Sequence, residues 1–401
     1  MSGAAADPRP LRLFLVAGEP SGDALGAKLM AALIRCRPQG VSFHGVGGPL
    51  MEREGLASLF PIADIAVMGA VAIAKALPRL IRCVRQVVDA ALAFEPDAVV
   101  IIDSPEFTHP IARRIRKRRP GLPILDYVSP SVWAWRAGRA RQMRAYVDHV
   151  MALLPFEPDA HRRLGGPPCT YVGHPLIEQI DHIQSIDPEP LAARLSLSRH
   201  RPVLVMLPGS RRSEVGLLMG PFGATLEELL RRGRLPQVIV PCVPAMRSLV
   251  EKHLTHWPLI PHVIESEDDK WRAFKLAGAA LTASGTVTLE LGLAGTPMVV
   301  AYRVDRLAAP FLRRMITASS IVLPNLMLGR NVFPEFIQER CTPVQLADAV
   351  LDLLEEGPAR AAQRAALTQI APRLRLDSGA PSDAAAEIAL RYAERQHSGV
   401  R

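Results

Sequence analysis

The residues best suited to chemistry sit in polar loops that follow apolar runs. Pro208-Gly209-Ser210-Arg211-Arg212-Ser213-Glu214 follows Val203–Leu207, a β-branched and apolar run that reads as a buried parallel strand, and precedes a helical pattern from about Val215. Gly209 permits a sharp turn, Ser210 and Ser213 can cap the first helical turn, and the helix N-terminus offers unpaired N–H groups carrying partial positive charge. With the forked cation of Arg211 added, the loop suits a phosphate or diphosphate. Taken alone it also fits an ordinary capped loop with solvated arginines.

A second loop of the same kind changes the balance. Ala283-Ser284-Gly285-Thr286 follows a short apolar run and opens another helix, with Glu290 one turn further on. Ser284, Gly285 and Thr286 can receive phosphate, and the Glu290 carboxylate can accept both hydroxyl hydrogens of a ribose, although a solvated helix residue is the plainer reading of Glu290. Two phosphate-competent loops in successive βα units describe a nucleotide-diphosphate pocket. Elsewhere, the strand pattern ending at Ile102 runs into Asp103 and Glu106. In open α/β sheets the carboxyl ends of strands border the ligand crevice, so a base placed there could deprotonate a hydroxyl nucleophile. An N-cap or loop anchor is the structural alternative for Asp103.

These loops need a scaffold of alternating strands and helices. Leu11–Ala17 is a first strand leading into Gly18-Glu19-Pro20-Ser21-Gly22-Asp23 and a helix, though without dinucleotide-fingerprint spacing. Val41–Val46 runs into Gly47-Gly48, which suits either close approach of a ligand or a tight turn. Further strands are expected at 96–107, 124–128, 150–154, 171–175, 237–241, 262–264 and 296–302, which makes the class α/β. Residues 181–201 carry Pro188 and Pro190 without an apolar period and read as an interdomain linker. Beyond Leu323-Pro324-Asn325-Leu326 the pattern is helical, with no new strand signal.

Composition sets the outer limits. A chain of 401 residues, 49% hydrophobic and 22% charged, is globular and long enough for two domains. Its net charge of +9, carried mostly by arginine, favours anionic partners without choosing among them. Few aromatics and dispersed charge argue against nucleic acid. The five cysteines form no CxxC or Cys/His cluster and read as reduced residues of a cytosolic protein, with no metal site and no cofactor motif. Asp268-Asp269 is read as a favourable helix start rather than a metal pair. No apolar segment approaches the roughly 18 residues a spanning helix needs.

Three segments remain open on residue grounds. Between Asp64 and Val88, apolar positions alternate with Lys75, Arg79, Arg82 and Arg85, which fits an interfacial helix against anionic head groups or a sheet-packed helix with a basic outer face. The arginine run 113–119 is a solvated helix end or a phosphate or membrane contact. Trp133 and Trp135, with Arg136, could form a stacking wall with an anion contact.

Taken together, Leu15-Val16-Ala17-Gly18-Glu19 with Ser21-Gly22-Asp23, Ala66-Val67-Met68-Gly69, Ile102-Asp103-Ser104-Pro105, Tyr127-Val128-Ser129-Pro130-Ser131-Val132-Trp133-Ala134-Trp135-Arg136, Leu207-Pro208-Gly209-Ser210-Arg211, Ala283-Ser284-Gly285-Thr286 and Leu323-Pro324-Asn325-Leu326 resemble the lipid-A-disaccharide synthase family. The resemblance implies two Rossmann-like domains facing across a cleft (GT-B type), here 1–185 for the acceptor and membrane, 186–375 for the UDP-sugar, and a C-terminal helix 376–401 crossing back or reaching a partner subunit. It implies an inverting, metal-independent transfer from UDP-2,3-diacylglucosamine to 2,3-diacylglucosamine 1-phosphate. Asp103 maps to the base, Glu106 is secondary because family members often carry Asp there, and Glu19, Ser21, Arg211, Ser284, Gly285, Thr286, Glu290 and Asn325 map to substrate contacts. The family's membrane patch falls on Val71, Ile73, Leu77, Leu80 and Ile81, which implies a cytoplasmic enzyme at the anionic inner face of the cytoplasmic membrane. The apolar C-terminal helices leave homodimerisation open. Rival readings are another UDP-sugar enzyme, such as an epimerase or a lipid-linked N-acetylglucosamine transferase, and a non-catalytic nucleotide- or membrane-binding module.

Overall fold

The computed structural model describes residues 9–65, 70–305 and 318–397, with side chains for all of these except residues 63 and 70–76. The chain divides into two compact units, Met1–Pro175 with Leu376–Arg401, and Leu176–Arg375.

In the first unit, β1 (Leu11–Ala17), β2 (Val41–Val46), β3 (Ala57–Ser58), β4 (Ala98–Ile102), β5 (Ile124–Tyr127), β6 (His149–Ala152) and β7 (Cys169–Tyr171) form one sheet in the order β3-β2-β1-β4-β5-β6-β7. Every pairing is parallel. Parallel sheets are covered on both faces, which is why all five residues of β4 are apolar and buried. Successive side chains alternate between the two layers. Leu13, Leu15, Val100 and Ile102 join the helix Pro20–Cys36 and the helix Pro381–His397 in one core, while Phe14, Val16, Val99 and Ile101 join helices Ala70–Phe94 and Pro105–Arg118 in the other. The helix Pro381–His397 buries Ala385, Ala386, Ala389 and Ala393, and Arg35–Asp383 (2.6 Å) and Arg37–Glu394 (2.5 Å) tie its flank.

In the second unit, β8 (Val203–Leu207), β9 (Gln237–Pro241), β10 (His262–Ile264), β11 (Ala277–Ala283), β12 (Met298–Tyr302) and β13 (Glu335–Ile337) form a parallel sheet in the order β10-β9-β8-β11-β12-β13. In each unit the chain lays strands outward from the first strand and then crosses back to its other side. The reversal falls between β1 and β4, and between β8 and β11, and at such points the loops diverge and leave a crevice at the carboxyl ends.

Three sequence expectations need correction. The chain after residue 328 is not wholly helical, because β13 pairs in parallel with β12 through Val300–Glu335, Ala301–Phe336 and Tyr302–Ile337. Residues 181–201 are not a linker between the units; they lie within the second one. They include the end of helix Ile180–Ser185 and helix Glu189–Arg194, burying Ile183, Ile186 and Leu191, and Pro190 occupies the first helical turn, where its missing N–H costs nothing. Gly47-Gly48 does not use positive φ: Gly48 is extended at φ −105° and forms the N-cap of the helix Pro49–Arg53. The buried Asp23 carboxylate accepts from Gly48, Leu50 and Met51 N at 2.9, 3.1 and 2.9 Å, so it caps the helix Pro49–Arg53.

Among the described residues no helix is long and apolar enough to cross a membrane. Helix Ala70–Phe94 buries Cys83, Val84, Val87, Val88 and Ala91 against the sheet, as the sheet-packed reading requires, and keeps Arg82 and Arg85 outward. Leu77 and Ile81 are nevertheless 50% and 40% exposed, and Leu80 is half-buried. The motif 66–69 and the side chains of Val71 and Ile73 lie outside the described residues.

Candidate functional site

At the first reversal, Asp103 terminates β4 with its backbone N–H still donating to Tyr127 O at 3.0 Å. Its carboxylate accepts from Ser21 Oγ at 3.1 Å and from Ser104 N at 2.7 Å, so the loop after β1 and the loop after β4 fix its direction together. The two loops can meet because Gly18 has no side chain: a Cβ there would stand 2.6 Å from Ser104 Cβ. Glu19 and Ser21 are exposed beside this contact. The backbone here is strained, with φ of 54° at Asp103, 45° at Ser104, 87° at Val128 and 51° at Arg136, conformations unfavourable for side-chain-bearing residues and worst for β-branched valine. Asp103, Ser104 and Val128 directly follow the carboxyl ends of β4 and β5.

Glu106, in the first turn of helix Pro105–Arg118, is gripped by Arg136 at 3.1 Å and Arg139 at 2.5 Å. Partial burial alone would raise this carboxyl, but the hydrogen bond and charge of Arg139, with the charges of Arg136 and His109, leave it below its ordinary value. The tryptophan loop is only in part the stacking wall expected of it. Trp135 carries the Arg136 guanidinium 4.4 Å from its ring centre, whereas Trp133 is turned inward, donating to Glu157 at 3.1 Å and meeting Phe156 edge-on. Ser129 and His161 Nε2, 2.8 Å apart, brace the start of the loop. Of the arginine run, Arg116 pairs with Asp148, Arg118 with Asp89 and Arg119 with Glu95, as solvated helix ends do.

At the second reversal, Gly209 adopts φ 112°, and a Cβ there would overlap the Glu214 carboxylate. The first turn is not capped by Ser210 or Ser213. Helix Arg212–Arg231 has Arg211 at its N-cap, and Glu214 reaches back to accept from Ser210 N at 3.2 Å and Arg211 N at 3.3 Å while pairing with Arg211 Nη1 at 3.0 Å. Ser284 Oγ donates to Ile321 O at 2.6 Å, and Gly285, at φ 138°, leads through Thr286 into helix Val287–Ala294. These two loops share one cavity of 550 Å³, within the range of small-ligand sites, lined also by Pro241–Pro244, Glu265, Lys270 and Glu290. Glu290 is not a solvated helix residue. Burial raises its carboxyl, opposed by the charge and hydrogen bond of Lys270, 3.1 Å away.

Asn325 does not line this cavity. It is 1% exposed, its Nδ2 donating to Phe333 O at 2.9 Å and its Oδ1 accepting from Val332 N and Phe333 N, so its amide closes a loop. Sequence reasoning missed Lys270, Glu157, His161 and Arg139. Lys270 directly follows the Asp268-Asp269 pair at the helix start, a signal that was available; Glu157 and His161 have no local sequence signal.

A family model described as lipid-A-disaccharide synthetase matches residues 13–388. The lipid-A-disaccharide synthase of Nitrobacter hamburgensis is 51% identical over 379 residues, covering 94% of this chain and 95% of that protein. One from Rhodopseudomonas palustris is 49% identical over 391 residues, covering 97% and 98%. Among solved structures, a UDP-GlcNAc 2-epimerase of Neisseria meningitidis bound to UDP-GlcNAc has a TM-score of 0.60 at 10% identity over 95% of this chain and 98% of that one. MurG of Acinetobacter baumannii has a TM-score of 0.55 at 14% identity, covering 95% and 100%. At such identities the likeness is one of fold.

The buried Glu157 carboxyl yields a pH prediction. Burial pushes it from 4.5 up to about 7 against the hydrogen bonds from Leu154 and Trp133, so between these values the folded chain holds a proton that the unfolded chain has released. The associated stability is complete below pH 4.5 and is lost as pH rises through 7. Glu157→Gln is expected to remove that slope, of order a few kcal/mol across the window, which denaturant midpoints measured across it would reveal; an unaltered slope would contradict the assignment.

Proposed function

The chain belongs to the lipid-A-disaccharide synthase family, and we propose that Asp103 is the base of the family's reaction and that the second unit's cavity is its UDP site. That reaction joins UDP-2,3-diacylglucosamine to 2,3-diacylglucosamine 1-phosphate, giving the β(1→6)-linked disaccharide 1-phosphate and UDP. The epimerase alternative shares only the fold.

The observation that carries the proposal is the Asp103 carboxylate, aimed by Ser21 and by Ser104 N at the carboxyl edge of the sheet where strand order reverses. In the mechanism it supports, the acceptor 6-hydroxyl attacks the anomeric carbon of the donor from the face opposite UDP, and Asp103 takes the hydroxyl proton as the new C–O bond forms. The old bond to the diphosphate breaks, and its electron pair leaves with UDP. Charge developing there meets Arg211 and the N-termini of helices Arg212–Arg231 and Val287–Ala294, fixed dipoles that need no reorganisation. Glu290 offers the ribose an acceptor, with Lys270 fixing its direction.

Both substrates carry acyl chains, so the enzyme must meet them at a lipid surface. The exposed Leu77 and Ile81, with Arg82 and Arg85 on the same helix, support docking of helix Ala70–Phe94 on the anionic inner face of the cytoplasmic membrane.

Three outcomes are expected. Asp103→Asn should lower kcat by roughly 10²–10⁴ while donor binding is retained, and near-normal turnover would remove Asp103 from the role. Arg211→Ala should weaken UDP binding by about tenfold or more, measured by calorimetry. Replacing both Leu77 and Ile81 with Asp should release the protein from phosphatidylglycerol vesicles in a flotation assay without changing its fold; undiminished flotation would place the membrane contact elsewhere.

A further inference from the structure

One basic cavity is not used by the chemistry above. It measures 340 Å³, lies wholly within the first unit, and is walled by Glu106, His109, Arg113, Arg136, Arg139 and Gln142. Three guanidiniums against one carboxylate leave a formal charge of +3 − 1 = +2 on its walls, a match for the roughly −2 of a phosphate monoester.

The cations are held in place before any ligand arrives. Arg136 lies over the Trp135 ring from a strained backbone, and Arg113 lies 4.8 Å from the centre of the Tyr146 ring while donating to its hydroxyl at 3.3 Å. That hydroxyl is 2.9 Å from Nδ1 of His109, a side chain only 4% exposed whose Nε2 has no hydrogen-bond partner and faces the Asp126 carboxylate at 3.4 Å. Arg139 is the least exposed of the three guanidiniums, at 15%. The sole anion among them, Glu106, is the most exposed member of its ion pairs, its side chain 72% exposed.

Resting on the reading of Asp103 as base, we propose that this cavity receives the 1-phosphate of the acceptor, with Arg136 and Arg139 exchanging Glu106 for the phosphate oxygens. The guanidinium fork that holds a carboxylate accepts a phosphate in the same geometry. The spacing follows from sugar chemistry. In a pyranose, C1 and the carbon bearing C6 both bond the ring oxygen, so a site for the phosphate must lie within a sugar's width of the base that takes the 6-hydroxyl proton. Asp103 and Glu106 are three residues apart, and Thr108 Oγ1 donates to Asp103 O at 2.8 Å, which ties the base to the first turn of the helix that forms the cavity wall. The 2- and 3-acyl chains leave from the opposite side of the ring.

The test is a kinetic cycle with two acceptors, one with and one without the 1-phosphate. Arg139→Ala, and separately the more exposed Arg136→Ala as a safeguard against misfolding, should raise KM for the phosphorylated acceptor by about tenfold or more, far more than they change kcat, with donor KM unmoved. Removing the phosphate should cost the unmodified enzyme a similar factor and cost the variants little. Equal losses for both acceptors, or an unchanged acceptor KM, would overturn the proposal. So would loss of binding to phosphatidylglycerol vesicles with acceptor kinetics in detergent intact, which would assign the arginines to lipid head groups. Failure of the Asp103 reading shows in kcat of the Asp103 variant and is distinguishable from all of these.

Discussion

The constraint on which the structure depends is the reversal of strand order in a parallel sheet. Parallel strands bring all their carboxyl ends to one edge, but neighbouring loops normally crowd each other; only where the chain turns back do two loops diverge. In the first unit the diverging loops carry Ser21 and Asp103, and in the second they carry Arg211 and Ser284 to Thr286. The strain at Asp103, Ser104 and Val128 has the same origin. Each stands where the backbone leaves a strand sharply at that edge. The sheet core of fully buried Val, Ile and Leu is what keeps such conformations populated.

What the sequence disclosed follows from how local each signal is. A strand buried on both faces is an uninterrupted apolar run, so 98–102, 203–207 and 237–241 were plain. β13 was not, because three residues at a sheet edge carry no period and Glu335 looks like a loop residue until its carboxylate is seen accepting from Ser320 Oγ and Ile321 N. The prolines of 188–190 were read as part of an interdomain linker, although proline at a helix start is favourable and two short helices there bury Ile183 and Leu191. At the sites, Asp103, Arg211 and Ser284 were legible because each follows its strand directly. Lys270 beside Glu290, Glu157 beneath Trp133 and Arg139 on Glu106 were hidden by separations of 20, 24 and 33 residues, which only the fold closes.

The three cation sites at these edges each hold one of the chain's own carboxylates, and burial decides which can be exchanged. Glu106 is an exposed partner, and exposed ion pairs contribute roughly 0–1 kcal/mol, so a phosphate with more charge and more oxygens can replace it on Arg136 and Arg139. Glu214 differs. Its side chain is 12% exposed and also serves two backbone N–H groups, so removing it would strand polar groups at a cost of several kcal/mol. On the proposed UDP site, a diphosphate would meet the guanidinium of Arg211 with Glu214 still in place. There the carboxylate acts as a rest that fixes the arginine's direction. Glu290, paired with Lys270 and almost as buried, is likewise fixed, which suits a neutral diol better than an anion. The same chemical pair thus has two characters: an exposed pair that an anion can exchange, and a half-buried pair that is fixed.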